Sequence, residues 1–157
     1  MNPVGWFIAF VGLAVLKTWL AFRGQSLLGN GVHPLITILH KGTVIGGLSG
    51  ISYDPSSQLY YIIGDDRSAK NPARFYTARI SLSANGIDDV EFVATHPWLD
   101  TSGKPFRPLD VDSQPPVIPP DPEGIAVDPR RQRLYWSSEG ERATENLDRP
   151  ALLDTWV

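Results

Sequence analysis

Val4 to Leu16 is an unbroken run of apolar residues and glycine. Lys17 and Thr18 interrupt it, Trp19 to Phe22 continue it, and Arg23 with Gly24 end it. Such a run suits a signal-peptide hydrophobic region, or a short membrane anchor if the Lys17 stem lies along apolar surface and its ammonium reaches water. No basic residue precedes the run and no A-x-A-like cleavage site follows it, so cleaved signal, uncleaved anchor and buried helix all remain open. The expectation is an N-terminal hydrophobic helix over residues 4–22 that brings the chain to a membrane or across it. Residues 1–23 then form a signal peptide or anchor, and the protein is exported (periplasmic or extracellular) or membrane-anchored.

Residues 24–43 carry Gly, Asn and a His33-Pro34 step and read as a linker, with Leu35 to Leu39 a candidate first strand. From Gly46 the pattern becomes that of short strands bounded by turn residues. Leu48 to Tyr53 ends at Asp54-Pro55-Ser56-Ser57, a turn composition. Leu59 to Ile63 returns, rich in Tyr and Ile. Phe75 to Leu82 and Val90 to Thr95 follow, separated by an Asn85-Gly86 hairpin signal. No segment after residue 30 has the apolar spacing of a helix. Residues 97–122 contain Pro105, Pro108, Pro115, Pro116, Pro119, Pro120 and Pro122. Each removes a backbone donor, so no central strand is expected there, and a disordered or solvated surface loop is.

After this loop the first pattern returns. Gly50-Ile51-Ser52-Tyr53-Asp54-Pro55 is answered by Gly124-Ile125-Ala126-Val127-Asp128-Pro129, and Gln58 by Gln132, an offset of 74 residues from Gly50 to Gly124. With one residue inserted, Leu59-Tyr60 is answered by Leu134-Tyr135, and Asp66-Arg67 by Glu141-Arg142. Repeated strand–turn–strand units are the mark of radially repeated β-folds, whose blades are four antiparallel strands. Residues 46–96 supply one blade and residues 123–138 half of the next. The expected fold class is therefore all-β, a partial β-propeller of about one and a half antiparallel four-stranded blades, after the hydrophobic helix. Two similar hairpins in a β-sandwich are the alternative.

Composition removes several functions. With 14 basic and 17 acidic residues and a net charge of -3, no basic face for nucleic acid is in view. Cysteine is absent, which excludes disulfides, thiolate metal sites and cysteine nucleophiles. His33, His40 and His96 are scattered, and neither a P-loop nor a G-x-G-x-x-G is present, so no nucleotide cofactor is expected. Gly47-Leu48-Ser49-Gly50 misplaces the second glycine of a nucleophile elbow, and Ser137-Ser138-Glu139 has no nearby His.

Several short motifs then follow in an order that resembles the phytase-like family, whose members are described as having esterase-like activity of phytase. They are Gly46-Gly47-Leu48-Ser49-Gly50-Ile51, Asp65-Asp66-Arg67, Asn71-Pro72-Ala73-Arg74-Phe75-Tyr76, Leu99-Asp100, Gly103-Lys104-Pro105-Phe106, Asp121-Pro122-Glu123-Gly124-Ile125-Ala126 and Ser137-Ser138-Glu139-Gly140. The resemblance covers about residues 44–141; residues 111–120 look like a Pro-rich insertion. It implies a propeller domain over 44–157, cut short of a closed ring, so that this chain alone is expected to be inactive. It also implies an ester hydrolase, a calcium-dependent phosphoesterase in the complete protein, acting on a small anionic or ester substrate. Calcium takes hard oxygen ligands, which makes Asp65, Asp66, Glu123 and Glu139 the candidate metal ligands and Arg67 and Arg74 the candidate substrate contacts. No catalytic residue is singled out. Structural roles compete at each position: an Asx-type turn at Asp65-Asp66, a local ion pair for the arginines, and amide hydrogen bonds for the glutamates. A non-catalytic propeller module, exported or membrane-tethered, is the alternative function.

Overall fold

The computed structural model describes residues 38–143 and 151–153. Residues 4–22, expected to be helical, lie outside them. Among the described residues every regular element is a strand, and no helix is long and apolar enough to cross a membrane.

The described residues open with a hairpin, β1 (Ile38–His40) and β2 (Thr43–Ile45). Lys41 and Gly42 form its two-residue loop with φ of 48° and 80°, the double left-handed conformation that matches strand twist. Of the strand expected over Leu35 to Leu39, Ile38 and Leu39 fall in β1 and residues 35–37 lie outside the described residues.

The four expected strands are all present as β3 (Leu48–Asp54), β4 (Leu59–Gly64), β5 (Arg74–Ser83) and β6 (Gly86–Pro97). They form one antiparallel sheet in the order β3-β4-β5-β6. At the β5–β6 turn the loop residues are Ala84 and Asn85, with Gly86 opening β6 at φ 121°. Asn85-Gly86 thus sits one residue later in the turn than the hairpin signal implied.

The 97–122 connection is more ordered than a solvated loop. Asp100 and Asp110 accept local amide hydrogen bonds, from Ser102 and Lys104 and from Asp112 and Ser113. Isolated bridges join Leu99 to Pro105 and Asp110 to Val117. Its end turns inward, with Pro119, Pro120 and Pro122 fully buried. Pro122 then begins β7 (Pro122–Asp128), which pairs with β8 (Arg133–Ser138); the first residue of a strand is a position proline tolerates. A short pair, β9 (Glu141–Ala143) with β10 (Ala151–Leu153), follows.

The hairpins β3–β4 and β7–β8 are the same unit. Leu48↔Gly64 and Gly50↔Ile63 bracket a bulge in one, as Pro122↔Ser138 and Gly124↔Ser137 do in the other. Asp54 and Asp128 cap the turns by accepting from the amides of Ser56 and Arg130. Gln58 and Gln132 stand at φ 57° and 52°. The offset remains 74 to the end of the unit, because Asp54 pairs with Leu59 and Asp128 with Arg133. The residue insertion inferred from the matching Leu-Tyr pairs is therefore absent. Tyr60 corresponds to Leu134, and Asp65 corresponds to Glu139.

The four-stranded sheet is apolar on both faces. On one, Leu48, Ile62, Tyr76 and Ala78 are buried beneath Ile45 of β2, with Ile51, Tyr60, Val90 and Phe92 packed around them. Strand β2 is held down by its Val44 carbonyl, which accepts from the Arg74 guanidinium at 2.7 Å and the Tyr76 hydroxyl at 2.9 Å. On the other face, β7–β8 lies over Gly50, Ser52 and Ile63. The Val127 amide donates to Ser52 Oγ at 3.0 Å, and Ser49 Oγ donates to the Pro122 carbonyl at 3.2 Å. Phe75, Trp98 and Trp136 stack across this junction, with ring centroids 4.6 and 4.5 Å apart. Such pairs each add roughly 0.5–1.5 kcal/mol beyond area burial. The Trp98 contact is one of shape, since its buried Nε1 has no hydrogen-bond partner among the described residues.

Candidate metal centre

Both repeats end their second strand beside the start of their first. The Asp65 amide donates to the Gly47 carbonyl at 2.7 Å, and the corresponding Glu139 amide donates to the Asp121 carbonyl at 3.1 Å. Each backbone bond places an acid at the same end of its hairpin. In the first repeat Gly47, at φ 55°, makes room for the Asp65 carboxylate, which a Cβ at that position would overlap. In the second repeat the same place is held by Asp121, between buried Pro120 and Pro122. The Asp121 amide donates to the buried Ser138 hydroxyl at 3.0 Å.

Two acids at the start of β7 and one at the end of β8 consequently meet. One carboxylate oxygen each from Asp121, Glu123 and Glu139 lie within 4.8 Å of one another. Beside them Asp65, Asp66, Arg67, Lys70, Asp121 and Glu123 line an open hollow of about 380 Å³. Arg67 Nη1 stands 3.6 Å from Asp121 Oδ2. Burial pushes the Asp121 carboxyl above the usual carboxylate range; Arg67 opposes the rise, and Glu139 and Asp65 add to it. A concentration of negative charge with partial desolvation is the arrangement that a cation relieves.

Two oxygens bound to one calcium at about 2.3–2.6 Å lie no more than about 5 Å apart, and the three oxygens fall within that spacing. The donors are all carboxylates, the hard ligands this ion takes.

Residues 43–155 match the family described as Phytase-like, with the further description esterase-like activity of phytase. The chain belongs to the phytase-like family. Among curated proteins it is similar to "Protein cueball" of Drosophila ananassae, 26% identical over 163 residues, which cover 87% of this chain and 23% of that protein. The chain thus spans about a quarter of the length of that relative. No solved structure matches it.

Within this phytase-like chain the six residues singled out from the sequence divide into two groups. Asp65, Arg67, Glu123 and Glu139 come together around Asp121. Asp66 and Arg74 pair with one another instead, at 2.9 Å. Asp66 accepts from the amides of Ala69, Lys70 and Asn71, so its carboxylate closes the 66–71 loop, an Asx-type structural role. Burial works against its charge, but Arg74 and these amides prevail and hold its pKa below the usual value. Arg74, 3% exposed, donates to Asp66, Tyr76 and the carbonyls of Val44 and Pro72. It lies in the core beneath the loop and faces no open space. Asp121 was not among the candidates. Its signal is the repeat itself, since a count of 74 back from Asp121 reaches Gly47, the residue that receives the Asp65 amide.

Proposed function

We propose that this chain is part of a β-propeller ester hydrolase of the phytase-like family, acting on phosphoesters with a divalent cation, calcium, held by Asp121, Glu123 and Glu139. The observation that carries the reading is the meeting of these three carboxylates at the end of the hairpins where Asp65 and Arg67 arrive from the neighbouring repeat. The family description supports ester hydrolysis. The repeat at constant register, with the second hairpin laid face to face on the first, supports a radial arrangement.

Bound there, a cation would neutralise phosphate charge and lower the pKa of a bound water. The side chains of this chain supply the rest. Asp121 and Glu123 flank the buried Pro122 at a bulge, and the Asp121 amide donates to the Ser138 hydroxyl. Arg67, about half exposed beside Asp121, is placed to hold an anionic substrate by its guanidinium edge. The Asp66–Arg74 pair keeps the loop that carries Arg67 in position.

The test is hydrolysis of p-nitrophenyl phosphate and p-nitrophenyl acetate by the protein with its further repeats in place, with calcium and with a chelator. Phosphate ester cleavage that requires calcium is expected. A flat result on both esters would overturn the hydrolase reading in favour of a non-catalytic binding module.

A further inference from the structure

The two repeats differ at the end where the acids gather. A step of 74 residues pairs Gly47 with Asp121, Ser49 with Glu123, Ile63 with Ser137 and Gly64 with Ser138. The first repeat thus has neither acid at the start of its first strand and neither hydroxyl at the end of its second. In the second repeat the two acids and the two hydroxyls appear together.

Both hydroxyls bind main-chain amides beside the acids. Ser138, 1% exposed, accepts from the Asp121 amide at 3.0 Å and from the Gly140 amide, next to Glu139, at 3.2 Å. Ser137 Oγ accepts from the Gly124 amide, next to Glu123, at 3.1 Å. A Cβ on Gly124 would stand 2.6 Å from Ser137 Oγ, so the glycine leaves the room this bond takes. From the first repeat, Ser49 Oγ donates to the Pro122 carbonyl, between Asp121 and Glu123. The bulge between Pro122 and Gly124 interrupts the register at Glu123, and a bulge re-aims the side chain it carries. The hydroxyls hold the main chain on either side of that interruption. Three like charges within 4.8 Å of one another repel, and side-chain torsions alone would let them part. Fixing the main chain fixes the directions from which the carboxylates start.

We propose that Ser137 and Ser138 are positioning residues of this centre, holding the main chain beside Asp121, Glu123 and Glu139 so that one oxygen of each can face the same cation. The inference rests on the metal reading and adds to it the groups that preorganise the ligands. Partners one step behind the ligands of a metal commonly carry about ten- to a hundredfold of its affinity.

Calorimetric calcium titration of the full chain tests it in Ser137→Ala, Ser138→Ala and Ser137→Thr, the last of which keeps the hydroxyl. Each alanine variant should bind calcium about tenfold more weakly or worse, and Ser137→Thr should bind like the unmodified chain. A double-mutant cycle separates positioning from a general loss of packing. In Glu123→Gln, where the ligand is already impaired, adding Ser137→Ala should weaken binding by much less than it does alone. Circular dichroism checks folding; should Ser138→Ala unfold, the Ser137 variants decide alone. Calcium binding that is unchanged in the alanine variants overturns this inference and leaves the metal reading in place. A Ser137→Thr variant as weak as Ser137→Ala, or the same loss in both arms of the cycle, makes the serines a part of the packing only and overturns it as well. No binding by the unmodified chain overturns the metal reading, and this inference with it.

Discussion

Arg74 shows how a charged residue in a site-like motif becomes part of a core. Its guanidinium is surrounded by a carboxylate, a phenol and main-chain carbonyls, all supplied by its own neighbourhood. Removing one partner of a buried ion pair costs about 3–5 kcal/mol. Arg74→Met is expected to destabilise the chain by that amount in urea unfolding. The acid limb of stability should change with it. Asp66 has a folded-state pKa below its unfolded value, so its contribution is present above the ordinary carboxylate pKa of 3.8 and is lost as pH falls through the lower folded-state value. In Arg74→Met this acid-dependent loss should shrink; an unchanged profile would mean that the amides alone hold Asp66. At this scale the sequence was informative about position and silent about direction. Asp65, Arg67, Glu123 and Glu139 lie near one another because turn residues at repeat ends share one end of a sheet. Asp66 and Arg74 stand in the same motifs, but their side chains turn toward the loop and the core, which neighbouring letters do not encode.

Among the elements, the two hairpins were largely legible, since alternation and D-P turns mark strands of this kind. The identical letters Leu59-Tyr60 and Leu134-Tyr135 suggest an insertion that the register does not contain. Register is set by the turn, and both turns share an Asp cap and a left-handed Gln. The end of the proline-rich connection departs from the expected solvated loop for a related reason: composition reports missing donors, not burial. Packing between the hairpins depends on Gly50. Gly50→Ala would push a methyl against the β7 backbone, which cannot yield like a flexible side chain, and overpacking of this kind costs about 1–3 kcal/mol. The measurable outcome is a lowered melting temperature together with loss of Trp98–Trp136 stacking in near-ultraviolet circular dichroism. Gly46→Ala, with nothing within 4 Å of the added atom, is the control and should change neither.

The whole molecule joins these scales at the acid cluster, because the repeat and the junction of the hairpins meet there. The partly buried charge of Asp121 opposes folding. Asp121 has a folded-state pKa above its ordinary value, so the penalty of its charge is fully present above that raised pKa and disappears as pH falls below the unfolded one. Asp121→Asn is therefore expected to make the calcium-free chain more stable at neutral pH while weakening its hold on calcium, a pair of opposite effects that a merely structural aspartate does not produce. The most direct measurement is a calorimetric calcium titration of the full chain beside Asp121→Asn, Glu139→Gln and, as a control on an exposed acid paired with Arg79, Glu91→Gln. The account predicts saturable binding that weakens by more than about tenfold in the first two variants, as expected when a charged ligand is lost, and is unchanged in the third. No calcium binding by the unmodified chain, or equal affinity in all four proteins, would contradict it.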